Sequence, residues 1–203
     1  TQSVTVFPLE DPSFTTAPTC DGGTVTITGD AGGVFAFNPD PMDGSVIDVA
    51  TGTITGGIPG TTYTIEYTTT GPCSEQSTQD VTVFVEETSA FTVTATCTGG
   101  TATITGDTGG TFVFNPAPTD AAVIDAATGT VTMGTPGAVY TIEYTTGGPC
   151  PDVSTVNLAV LNQDNSSFTL SPTCDGATAT VTGLSGGTFA FNPVPTDGVM
   201  INT

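Results

Sequence analysis

The sequence predicts an all-β protein built of tandem two-sheet sandwiches, and three observations carry that prediction. A 77-residue unit recurs: Cys20, Cys97 and Cys174 are equivalent, as are Cys73 and Cys150, and Asn38-Pro39, Asn115-Pro116 and Asn192-Pro193 keep the same interval with no insertion. Each unit contains about seven short runs in which apolar residues alternate with Thr, separated by Gly, Pro and Asn turn signals. Helix formers are scarce, and no apolar stripe of helical period is present.

The second unit shows each predicted strand in order. FTVTAT opens it at residues 91–96, followed by GTATITG (100–106), GTFVFN (110–115), AAVID (121–125) and GTVTM (129–133). AVYTIEYTT (138–146) and STVNLAVLN (154–162) close it. Ala102 and Ile104 alternate with Thr101, Thr103 and Thr105, while Tyr140, Ile142 and Tyr144 share one face and leave Thr141 and Glu143 on the other. Val81 and Val83, like Leu158 and Val160, take the inward positions of the last strand, and Val4 and Val6 stand at the matching places upstream. Seven strands with turn signals at this spacing predict an immunoglobulin-like β-sandwich in every repeat. The repeat register divides the chain into the last strand of a preceding repeat (1–13), complete repeats at 14–90 and 91–167, and the start of a third, truncated repeat at 168–203.

Composition excludes several function classes. The chain has 20 acidic residues and no Lys, Arg or His, for a formal net charge of −20. Nothing in it neutralises phosphate, so nucleic acid and anionic membrane surfaces are excluded as partners. No run is long and apolar enough to cross a bilayer, so no direct membrane insertion is expected of this segment. A triad base, a Schiff-base amine and a phosphate clamp are all missing, and the chain is not expected to be an enzyme. A pair of carboxylates could serve a glycosidase, but copying the same acids into every repeat has no catalytic purpose.

The cysteines carry the repeat. Each complete unit has two, 53 positions apart, and the fifth, Cys174, is the first of the truncated copy with its partner outside the chain. The spacing leads us to expect disulfides Cys20–Cys73 and Cys97–Cys150, each worth roughly 4 kcal/mol in the chain-entropy model, in an oxidising extracellular compartment. Free buried thiols are the alternative, and a metal site the weaker one, because two cysteines without His make a poor zinc shell.

The segments VIDVATGTITGGIPGTTYTIEYTT (46–69) and VIDAATGTVTMGTPGAVYTIEYTT (123–146) resemble the D-x-x-T-G turn and tyrosine-bearing strand of bacterial immunoglobulin-like and cadherin-like repeats. With its GGTFxFNPxPTD block, the whole unit is similar to tandem repeats of giant Bacteroidota cell-surface proteins, including gliding-motility adhesins exported by type IX secretion. That resemblance implies a secreted filament or stalk at the cell surface, made of many such domains.

In the D-x-x-T-G turn, Asp48 and Asp125 are expected to accept backbone N–H groups of the following residues while Gly52 and Gly129 take positive φ. The competing reading is calcium, a possible cofactor that needs six to eight oxygens, with Glu10, Glu86, Glu87 and Asp164 at the junctions as donors. Asp43, Asp120 and Asp197 recur, as do Glu66 and Glu143, but no DxDxDG loop is present. Asn165-Ser166-Ser167 forms an N-x-S sequon at a junction.

Two functions compete. A structural stalk would set reach and stiffness, its partners being neighbouring repeats and identical filaments. Multivalent carbohydrate- or surface-binding repeats would need exposed aromatics, yet Trp is absent and most aromatics fall at inward positions. Phe7 and Phe84 break that parity and point to packing at the junctions. Lateral association into a sheath or surface layer is the third reading. The links at 83–93 and 159–170 lack Gly and Pro, and Pro8 and Pro12 stiffen the first junction, so neighbouring sandwiches are expected to stay in contact.

Overall fold

Alternation sends successive side chains of a strand to opposite faces, and the computed structural model, which describes residues 2–201, turns the alternating runs of the first two repeats into strands. The first repeat comprises β1 (Phe14–Pro18), β2 (Gly23–Ile27), β3 (Val34–Phe37), β4 (Val46–Ile47), β5 (Ile54–Thr55), β6 (Thr62–Thr68) and β7 (Gln76–Thr82). The second repeats the series as β8 (Phe91–Thr96), β9 (Gly99–Ile104), β10 (Thr111–Phe114), β11 (Val123–Ile124), β12 (Val131–Thr132), β13 (Val139–Thr145) and β14 (Val153–Ala159). A hairpin of β15 (Phe168–Thr173) and β16 (Gly176–Val181) follows.

Each repeat folds into a four-stranded sheet of order β1-β2-β5-β4 and a three-stranded sheet of order β3-β6-β7, and β8 to β14 copy both orders. Every pairing is antiparallel. Four strands against three in this connectivity is the arrangement of constant-type immunoglobulin domains. The chain is therefore all-β, with tandem immunoglobulin-like sandwiches of 77-residue period.

Separate cores fill the two sandwiches. In the first, Phe14, Phe35, Ile54, Tyr63, Ile65, Tyr67, Val81 and Val83 are buried; in the second, the equivalent positions Phe91, Phe112, Val131, Tyr140, Ile142, Tyr144, Leu158 and Val160 are. Phe35 stacks on Tyr67 with centroids 4.4 Å apart, and Phe14 meets Phe35 edge-on at 5.7 Å. Phe112 and Tyr144 repeat the close contact at 4.4 Å. Such aromatic pairs add about 0.5–1.5 kcal/mol beyond area burial.

A tyrosine hydroxyl taken into a core must find partners, and here each one closes a loop. Tyr67 donates to the Asp30 carbonyl and accepts from the Gly33 N–H, both at 2.9 Å. Tyr144 does the same with Asp107 and Gly110, at 2.9 and 3.0 Å. Tyr63 and Tyr140, at the start of the same strand, accept the N–H of Ile58 and Thr135, five residues upstream. No buried side-chain polar atom lacks a partner among the described residues.

The ends depart from the expected pattern. Residues 2–13 form no strand, and Val4 and Val6 are exposed. Their counterpart β7 is held by β6, and no equivalent of β6 precedes residues 2–13 in this sequence to offer a ladder. For the same reason the third repeat shows, among its described residues, only its first hairpin: the strand equivalent to β3 also pairs with β6. Thr1, Asn202 and Thr203, the outermost positions of the two end segments, lie outside the described residues.

Candidate functional site

In an antiparallel sandwich, alternate loops fall at opposite ends. The β1–β2 hairpin carrying Cys20 lies where β7 leaves the repeat, because the Phe84 N–H donates to the Thr19 carbonyl at 3.1 Å. The β6–β7 loop carrying Cys73 lies where the chain enters, because the Gly71 N–H donates to the Glu10 carboxylate at 3.0 Å. The two cysteines of one repeat are thus separated by the length of β6, seven residues or roughly 23 Å at strand rise. A disulfide needs Cα atoms within about 7 Å.

The expected pairs Cys20–Cys73 and Cys97–Cys150 are corrected accordingly. The structure joins Cys20 of the first repeat to Cys150 of the second, with Cα atoms 5.6 Å apart and 130 residues between them in sequence. Cys73, Cys97 and Cys174 have no partner among the described residues. Equal spacing in sequence was compatible with either pairing. Only the strand topology, which places the two loops at opposite ends, decides between them.

Around this bridge the joint is built from the linker after Val83. Glu87 accepts the Gly148 N–H at 3.1 Å, as Glu10 accepts that of Gly71. A Cβ at Gly148 would collide with the Glu87 carboxylate, the far end of a flexible side chain, which would have to move aside for any larger residue. The Thr88 N–H donates to the Asp107 carboxylate at 2.8 Å, and the Asp107 N–H returns to the Thr88 carbonyl at 2.8 Å. Ser89 is fully buried; its N–H and hydroxyl both donate to Asp152, at 2.9 and 2.8 Å, while its carbonyl accepts the Ser154 hydroxyl at 2.6 Å. The Ser89 N–H and then its hydroxyl hold the Asp152 carboxyl below its ordinary range. The linker is therefore bonded to two loops and the last strand of the second repeat before β8 begins.

The junction acids singled out in the sequence do not come together. Glu10 and Glu87 each bind a glycine N–H, Glu86 and Asp164 are exposed, and no group of three or more His, Cys, Asp or Glu residues converges among the described residues. Phe84 is half-buried at the joint, whereas Phe7 is exposed.

The D-x-x-T-G turns connect β4 to β5 and β11 to β12. Asp48 accepts the N–H groups of Ala50 and Thr51 at 2.9 and 2.7 Å, and Asp125 those of Ala127 and Thr128 at 3.0 and 2.8 Å. Gly52 and Gly129 have φ of 71° and 65°. The Thr51 N–H, for Asp48, and the Thr128 N–H, for Asp125, lead in holding these carboxyls below the usual range.

Two other recurring acids, Asp43 and Asp120, act in the loops that precede these turns, between β3 and β4 and between β10 and β11. Asp43 accepts from the Ser45 hydroxyl and the Tyr63 hydroxyl, both at 2.6 Å; Asp120 accepts from the Thr135 hydroxyl at 2.6 Å and from Tyr140. Ser45 first and Tyr63 second lower the Asp43 carboxyl to about 2. Thr135 and then Tyr140 do the same for Asp120, also to about 2. Glu66 and Glu143 take the side-chain amides of Asn38 and Asn115, at 2.7 and 2.6 Å, and the Asn38-Pro39 and Asn115-Pro116 bonds are cis. The recurrence of Asp43 and Asp120 was visible in the sequence. Their tyrosine partners, 20 residues away and on another strand, were not.

Both carboxyls sit lower in the folded than in the unfolded chain, so their hydrogen bonds stabilise the fold above the ordinary Asp pKa of about 3.9 and lose that effect as pH falls through about 2. Asp120→Asn, which resembles the protonated acid, should melt below the native chain at pH 7. The gap should narrow through that acid range in a series of thermal melts, and a gap independent of pH would show that charge plays no part.

No family model matches the sequence, and no curated protein matches it. Among solved structures, it is similar to extracellular cadherin domains 3–6 of protocadherin gamma B2, at 13% identity and TM-score 0.32, over 77% of this chain and 52% of that one. The protocadherin gamma B4 extracellular domain matches at 12% identity and TM-score 0.34, over 87% of this chain and 41% of the other. The human desmocollin-1 ectodomain matches at 13% and 0.32, over 84% and 44%. The chain spans about half or less of the length of these structures, and at such scores nothing of their binding or assembly transfers to it.

Proposed function

We propose that this chain is a structural repeat segment of a large secreted cell-surface adhesin, a stalk that sets reach and stiffness. Its repeats divide at 14–90 and 91–167, with flanking pieces of the same array at 1–13 and 168–203. The observation that carries the reading is the joint: a linker hydrogen-bonded into the next repeat and a disulfide running beside it. A disulfide between two loops belongs to an oxidising compartment, which supports an extracellular location. The resemblance to Bacteroidota gliding-motility and type IX secreted repeats supplies the setting. Multivalent binding to carbohydrate is disfavoured, since the aromatics of both sandwiches pack in or against the cores and the tyrosine hydroxyls are tied into loops. Calcium, in this proposal, screens the acidic joints rather than occupying a closed site.

The stalk reading is tested by small-angle scattering on arrays of increasing repeat number, in calcium and in chelator at equal ionic strength. Rod-like repeats give a radius of gyration that grows in proportion to repeat number. Growth with an exponent of roughly 0.5–0.6, as for a flexible chain, would overturn it.

A further inference from the structure

The Cys20–Cys150 bond couples two loop positions that both recur. Cys20, Cys97 and Cys174 occupy the first hairpin of successive repeats, and Cys73 and Cys150 occupy the loop between the sixth and seventh strands. Because the bond spans 130 residues, more than one 77-residue period, it joins a hairpin to the loop of the following repeat. The surroundings of the unpaired cysteines repeat those of the bonded ones. The Leu161 N–H donates to the Thr96 carbonyl at 3.0 Å beside Cys97, as Phe84 does to Thr19 beside Cys20. Gly71 is held by Glu10 near Cys73, as Gly148 is held by Glu87 near Cys150.

We propose that the inter-repeat disulfide recurs at every joint, so that a second covalent line runs alongside the backbone. Cys97 bonds the loop cysteine of a repeat that follows it, 130 positions downstream, and Cys73 bonds the hairpin cysteine of a repeat that precedes it. The occupant of each half-site is another copy of this 77-residue unit. Formation is a two-electron oxidation: two thiols lose two protons and two electrons and form one S–S bond, while a small-molecule disulfide such as oxidised glutathione is cleaved to two thiols. The inference does not depend on the adhesive role.

The test completes the third repeat by placing a copy of residues 127–167 after Thr203, in register, with Thr145→Ser made in the added copy only so that its cysteine peptide differs in mass from that of Cys150, and oxidises the chain in a glutathione buffer. Non-reducing digestion with Asp- and Glu-directed proteases, followed by mass spectrometry, should find Cys97 joined to the added cysteine and Cys20 to Cys150. Cys97 should no longer be alkylated, and Cys73 should remain open to it. Peptides joining Cys20 to Cys73 or Cys97 to Cys150, or a Cys97 still alkylated in the folded oxidised chain, would overturn the proposal. Should the lengthened chain not fold, Cys20→Ser in the 203-residue chain serves: Cys150 is expected to become alkylatable, and its switching to Cys97 would refute the end-to-end register.

Discussion

Pulled from its two ends, the oxidised chain should release about 430–470 Å less contour length than the reduced one. The Cys20–Cys150 bond spans 130 residues, and an extended chain covers roughly 3.3–3.6 Å per residue. Force entering through residues 2–20 passes across the bridge and leaves through residues 150–201, so the intervening stretch, with most of both sandwiches, is bypassed. Single-molecule force spectroscopy reads the difference directly. Cys20→Ser should give the long extension with no reductant added, because each sandwich keeps its own core. Equal extensions with and without reductant would mean that the bridge does not form in the folded protein.

Tyr67→Ala should destabilise the first sandwich while leaving the second close to its native stability. Removing a core aromatic costs about 3–5 kcal/mol, and losing the hydroxyl leaves the Gly33 N–H and Asp30 carbonyl without the partner they have here. A domain of this size shifts its melting midpoint by about 4–8 °C per kcal/mol. Calorimetry of the variant should therefore show a transition moved down by roughly 12 °C or more, with the other near its native position. The mirror variant, Tyr144→Ala, should exchange which one moves. A single transition moving as a whole in both variants would show that the cores are one cooperative unit, against the division at residue 90.

Much of the fold was legible because the repeat supplied the sequence with its own alignment. Seven runs recurring in step identify the strands, and the parity of Tyr140, Ile142 and Tyr144 identifies the buried face of β13. The turn chemistry of Asp48 and Asp125 is likewise local, acting within three residues. What stayed hidden is what depends on contact across the sandwich or between sandwiches. Ser89 and Asp152 are 63 residues apart and meet only when the linker settles between loops. The cysteine pairing was misread because two equivalent periodic series can be matched within a unit or between units, and distance along the chain does not distinguish them. Strand order does: it sets the first hairpin and the sixth-to-seventh loop at opposite ends of one repeat and brings them together at the joint.

A single polypeptide crossing between two domains acts as a swivel, leaving the far domain free to turn about it. Here the backbone crosses once through Val83 to Phe91, and the Cys20–Cys150 bridge crosses a second time beside it. Two points of attachment define an axis, so the swivel becomes a hinge: bending about that line remains, while rotation along the filament is resisted by the second crossing. Torque applied to one repeat is then handed to its neighbour, and reduction of one sulfur–sulfur bond would release that coupling without separating the two sandwiches.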